Sequence, residues 1–141
     1  MFRFKPMLFL VLAAVLALTA CGGAGGKSGP VEVNVTLTEL AFKSSLTDFQ
    51  VGVTYKFVLT NDGALAHDFA IMPVMDQSSG MDIEEIHKNA LVVVTAEDFP
   101  SGATQTVEFT FTKPAASGEL EFACHTPGHY DAGMRLPITV K

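Results

Sequence analysis

From Val31 to Glu39 the chain alternates, with Val31, Val33, Val35 and Leu37 interleaved with Glu32, Asn34, Thr36 and Thr38, the period-2 signature of a strand with one buried face. Similar β-rich segments recur at 54–60, 68–72, 91–95, 104–112, 119–124 and 136–140. Turn-forming residues punctuate most of the gaps, as at Val51-Gly-Val, Asn61-Asp-Gly, Pro100-Ser-Gly and Ala116-Ser-Gly. Met81 to Ala90 breaks the rhythm: Ile83, Ile86 and Ala90 fall at helical spacing among Asp82, Glu84, Glu85 and Lys88, which predicts one short surface helix. Seven or eight short strands in about 110 residues predict an all-β fold, a Greek-key sandwich or barrel. Pro137 cannot donate a ladder hydrogen bond, so an edge position or a bulge is expected there.

The N-terminal region follows a different pattern. Arg3 and Lys5 precede an apolar stretch from Met7 to Leu18 and then small residues, the order of a secretory signal. The apolar stretch is short of the about 20 residues a membrane span needs. Leu18-Thr19-Ala20-Cys21 resembles the bacterial lipobox, which implies cleavage before Cys21 and its acylation. The Gly-rich run from Gly22 to Pro30 is the flexible tether such an anchor needs. The expected organisation is a lipoprotein signal peptide at 1–20, an acylated Cys21 with linker at 21–30, and one domain at 31–141. The expected location is the outer face of the cytoplasmic membrane, or the periplasm or outer membrane.

The chain has 141 residues, 9 of them Lys or Arg and 15 Asp or Glu. Loss of Arg3 and Lys5 with the signal leaves 7 basic against 15 acidic residues, a net charge of −8. That balance argues against a nucleic-acid partner and favours solubility or a basic protein partner. With Cys21 assigned to lipid, Cys124 is left without a disulfide partner in an oxidising compartment, where an unoccupied thiol is reactive.

Cys124, His129 and Met134 lie at five-residue intervals on one loop, placing a thiolate, an imidazole and a thioether within reach of a single ion. Completed by a second His, they form a trigonal His₂Cys set with a weak axial Met, the ligand set of blue-copper centres. His67, between the Asn61-Asp-Gly turn and a strand, is well placed to be that residue, because it pins an early strand end to the late loop. His125 adjoins Cys124, and neighbours in extended chain point their side chains apart, so His125 is expected behind the site or at the surface. His87, with Met72, Met75 and Met81 not far off in sequence, could alternatively form a secondary soft-metal site, although packing explains the same residues.

The Asn…His-Asp-Phe segment and the C-x4-H-x4-M loop resemble the cupredoxin (plastocyanin/azurin) family, with the similarity running from about Val31 to Lys141. The Cys-to-His spacing, with Pro127-Gly128 inside it, is more similar to azurin, auracyanin and rusticyanin than to plastocyanin. The resemblance implies one type-1 copper per chain, with His67, Cys124 and His129 equatorial and Met134 axial. It also implies that Asp68 hydrogen-bonds the backbone or Thr126 beside the Cys, and that His129 presents a ring edge as the electron port. Leu65, Ala66, Pro127, Tyr130, Ala132 and Gly133 would then form an apolar docking patch around it.

The implied function is one-electron transfer between redox protein partners by a monomeric, membrane-tethered domain that is not an enzyme. Copper chaperoning or sequestration is the alternative, and residue types hardly separate the two. A subunit of a copper oxidase or reductase is a poorer match, because only His87 and His125 remain once His67 and His129 are committed. A metal-free adhesion sandwich would leave all four ligand-type residues without a role.

Overall fold

A computed structural model describes residues 29–75 and 82–141. The signal, Cys21 and most of the linker fall outside these residues, as does Met81. Among the described residues no helix is long and apolar enough to cross a membrane.

Among the described residues, nine strands and one helix follow in order: β1 (Val31–Thr38), β2 (Ala41–Ser44), β3 (Asp48–Phe49), β4 (Thr54–Asn61), β5 (Phe69–Pro73), α1 (Ile83–His87), β6 (Val92–Val94), β7 (Thr104–Thr110), β8 (Ala115–Ala123) and β9 (Arg135–Val140). One sheet has the order β2-β1-β4-β7 and the other β3-β9-β8-β5-β6. β1 runs parallel to β4 and β3 parallel to β9; the remaining pairs are antiparallel. The two strands beyond the seven sequence segments are β2 and β3, of four and two residues, too short to show a period.

Alternation places Val33, Val35 and Leu37 of β1 and Tyr55, Phe57 and Leu59 of β4 in the core between the sheets. The Phe49 ring lies 4.9–6.1 Å from those of Tyr55, Phe57, Phe111 and Phe122, tying the ends of both sheets together. The inner strand β5 is covered on both faces. Phe69 and Ile71 enter the main core, while Ala70 and Met72 join Ile86 and Ala123 in a second cluster beneath α1. Ile86 is thus the buried anchor of a helix whose N-cap, Asp82, accepts a hydrogen bond from the Glu84 amide at 3.2 Å.

The Ala116-Ser-Gly turn expected from sequence instead lies within β8, which starts at Ala115 and shifts register between Ala115 and Leu120. Gly118, at φ 87°, accommodates the irregularity. Pro137 faces Glu121 on β8, and on its other flank β3 reaches only Thr139 and Val140, so β9 is locally an edge there.

Candidate metal centre

The candidate ligands come from two connections at one end of the sandwich. His67 lies in the β4–β5 connection, two residues before Phe69; Cys124 immediately follows β8, and Met134 immediately precedes β9. Antiparallel pairing of β5 with β8 sets Ala70 opposite Ala123 and so brings the end of the first connection beside the start of the second.

The three nearest donor atoms converge. His67 Nδ1 lies 3.1 Å from His129 Nδ1 and 3.8 Å from Cys124 Sγ, and His129 Nδ1 lies 3.5 Å from Cys124 Sγ. With metal–nitrogen bonds of about 2.0 Å and a metal–sulfur bond of about 2.3 Å, such separations subtend roughly 100–125° at a common ion. That is a near-trigonal opening. His67, Cys124 and Met134 are fully buried, and His129 is 8 % exposed. The Met134 amide donates to His129 O at 2.9 Å and the Cys124 amide to Met134 O at 3.2 Å, closing the loop on itself so that both sulfur residues are held at its base.

The opposite wall is organised by Asn61, which is fully buried. Its Nδ2 donates to Leu65 O at 2.9 Å and Phe99 O at 3.0 Å, and its Oδ1 accepts from the Gly63 amide at 3.0 Å. Glu39 Oε1 accepts from the Ala64 amide. A Cβ on Gly63 would lie 2.7 Å from His67 Nε2, so only glycine fits against that ring. Asn61 was visible in the sequence as part of a turn, but its anchoring role and that of Glu39 rest on contacts with Phe99 and Ala64 that no local pattern signals.

Asp68 is 1 % exposed and its Oδ1 accepts from the His125 amide at 2.5 Å. The backbone is therefore its partner, rather than Thr126. The Thr126 hydroxyl has no nitrogen or oxygen partner among the described residues, and with its own amide it favours the thiolate form of Cys124. Asp68 Oδ2 also meets His87 Nε2 at 3.1 Å. His125 is not a surface residue: it is 7 % exposed and its ring stacks on Tyr130 at 5.3 Å and 17°. Tyr130 donates its hydroxyl to Glu121 Oε1 at 2.6 Å and receives Arg135 Nη1 at 3.3 Å. Leu65 is 55 % exposed and Pro127, Ala132 and Gly133 are exposed as well, with Ala66 and Tyr130 half-buried.

Burial, then the nearby Asp68 carboxylate, pushes the Cys124 thiol up to about 11. Burial, then His129, pushes the His67 pKa down. In neutral solution His67 therefore offers a free lone pair, whereas Cys124 holds a proton that a cation must displace. A buried thiol and two imidazoles with converging donors suit a soft-to-borderline ion such as copper.

Residues 30–141 match the family model of copper binding proteins of the plastocyanin/azurin family. The chain is 27 % identical to the copper-resistant cuproprotein CopI of Pseudomonas aeruginosa, across 99 % of this chain and 97 % of that protein. It is 28 % identical to auracyanin-A of Chloroflexus aurantiacus, across 89 % of this chain and 91 % of the relative. In structure it is similar to the dithionite-reduced auracyanin of Roseiflexus castenholzii, with a TM-score of 0.60 and 21 % identity over 81 % of this chain and 99 % of that one.

Proposed function

The chain belongs to the plastocyanin/azurin family of copper-binding proteins, and from that membership we propose that it is a one-electron carrier rather than an enzyme, with His67, Cys124 and His129 as equatorial ligands and Met134 as the axial one. Copper, when bound there, supplies reversible Cu(II)/Cu(I) cycling. The observation that carries the reading is the convergence of three donor atoms, 3.1–3.8 Å apart, on loops closed by their own hydrogen bonds. Ligands positioned by the fold need not move far when the charge on the ion changes, which keeps the reorganisation cost of electron exchange low.

The protein's own residues have separate tasks in this scheme. Asn61 and Asp68 fix the two loops, and burial of Cys124 and Met134 excludes water from the sulfur side. His129, the one ligand that retains some exposure, is the exit for the electron, and exposed Leu65 and Pro127 flank it as the docking surface for a redox protein. The chain is exported and held at a membrane by acylated Cys21, a reading that predicts loss of fatty-acid labelling and of membrane retention in Cys21→Ser.

A second reading, copper binding for copper resistance, is favoured by the name of the Pseudomonas aeruginosa relative. Repeated reduction and reoxidation in the presence of a Cu(I) chelator separates the two. A carrier returns to full colour with its copper retained, whereas transfer of copper to the chelator at the first reduction supports the copper-handling role and contradicts electron transfer.

A further inference from the structure

We propose a second metal site, built from Asp68, His87 and His125, that binds a divalent cation of the zinc type back to back with the copper ligands. One donor atom from each of these residues lies within 4.8 Å of the others. Asp68 is 1 % and His125 7 % exposed, and the His87 side chain 17 %.

The site follows from the strand period. On β5 Phe69 and Ile71 face the sandwich while Ala70 and Met72 face α1, and the same alternation carried back puts His67 on the sandwich side; on β8 and the residue after it, Phe122 and Cys124 face the sandwich while Ala123 faces α1. Extending the Ala70–Ala123 register by two residues sets Asp68 opposite His125, both on the α1 side. The helix then contributes His87, next to its buried anchor Ile86. Each copper ligand of these two segments is therefore followed directly by a residue of the second site, Asp68 after His67 and His125 after Cys124.

The donor set suits a cation. Asp68 divides its carboxylate: Oδ1 holds the His125 amide at 2.5 Å, and Oδ2, 3.1 Å from His87 Nε2, is aimed at the second site. Two ligands on a tetrahedral ion at about 2.0 Å are roughly 3.3 Å apart, close to that spacing. The His87 ring meets the His125 ring edge-on at 5.5 Å, and Tyr130 stacks beneath His125, its hydroxyl fixed on Glu121, so the imidazole plane is set from behind. Two imidazoles and one carboxylate make a three-protein-ligand zinc set, and the partial exposure of His87 leaves the remaining position to water. Of the Met residues near His87 in sequence, Met72 and Met75 pack in the cluster under α1 rather than on the second site, and Met81 lies outside the described residues.

The test uses the full chain with its copper already loaded, so that the type-1 ligands are occupied. Zinc binding is measured by competition with a chromophoric zinc indicator, with total copper and the visible spectrum recorded alongside. One zinc per chain is expected in the native protein. In His87→Ala zinc affinity should fall on the order of ten- to a hundredfold, with copper content and colour unchanged. Zinc should also raise the copper reduction potential in the native protein and not in the variant, since a nearby dication favours the lower-charged Cu(I). No zinc binding by the native protein, or equal binding by His87→Ala, overturns the assignment. Because copper is counted separately, loss of colour in the native protein before zinc is added marks a failure of the copper reading instead.

Discussion

Replacing Gly63 by Ala adds one methyl group at the tightest point of the copper-side wall. The new Cβ would sit 2.7 Å from His67 Nε2, 3.0 Å from Glu39 Oε1 and 3.2 Å from Asn61 Oδ1, where ordinary contact begins at 3.4 Å. These three neighbours can yield to different extents. Glu39 is the end of a flexible, exposed side chain and moves at little cost. Asn61 Oδ1 belongs to an amide held on both sides, by the Gly63 amide and by Leu65 O and Phe99 O. The His67 ring is left to absorb a displacement of about 0.7 Å, beyond the roughly 0.5 Å tolerance of a site geometry. Overpacking of this kind costs about 1–3 kcal/mol, and 1 kcal/mol lowers Tm by roughly 4 °C in a domain of this size. Copper affinity should fall on the order of tenfold or more, as it does when the groups supporting a ligand are disturbed. Gly52→Ala is the control: its φ of 79° strains any side chain, but nothing lies within 4 Å of the new Cβ. It should lower Tm by a few degrees and leave copper affinity intact. Paired thermal melts and copper competition titrations decide the matter. Unchanged copper affinity in Gly63→Ala, or an equal loss in Gly52→Ala, would refute the role of that wall in placing His67.

Two further outcomes follow from the electrostatics of the site. The negative charge of Asp68 is felt at the Cys124 sulfur, where it raises the thiol pKa, and the same charge favours Cu(II) over Cu(I). Asp68→Asn should therefore raise the reduction potential; an interaction of about 1–3 kcal/mol at an effective dielectric of ~20 corresponds to about 40–130 mV, and a lower potential in a redox titration contradicts the sign. Copper uptake must displace the Cys124 proton, because burial pushes the metal-free thiol up to about 11, while His67, its pKa lowered by burial, is already neutral. Between about pH 7 and 10 each copper bound should release one proton and apparent affinity should rise about tenfold per pH unit; a pH-independent affinity across that window would show that the thiol is not a ligand.

The frame was legible where a strand was long enough to repeat. β1, β4 and β7 each run for seven or eight residues, so the period-2 pattern located them to within a residue or two. β2 and β3 escaped because four and two residues carry no period, and their place is fixed by pairing with β1 and β9, which no local pattern encodes. The Ala116-Ser-Gly run reads as a turn by composition, yet β9 on its flank carries it as an irregular strand start. At the site, Cys124, His129 and Met134 were readable from loop spacing, and His67 from its position before a strand. The partnership of Asp68 with His87, 19 residues apart, was hidden because it depends on the side of β5 that α1 covers. The alternation of neighbouring residues turned His125 away from the copper ligands; that this second face is buried as well follows only from the helix and Tyr130 lying over it.

The central claim, that Cys124 is the thiolate of a type-1 copper centre completed by His67, His129 and Met134, is tested most directly by the visible absorption and copper content of the native protein and of Cys124→Ser, both checked for fold by circular dichroism. The account predicts one copper per chain and an intense thiolate-to-copper band in the oxidised native protein, bleached by reduction and restored by oxidation, with the band absent from a folded Cys124→Ser. A native protein that binds copper without that band, or a variant that keeps it, would contradict the account.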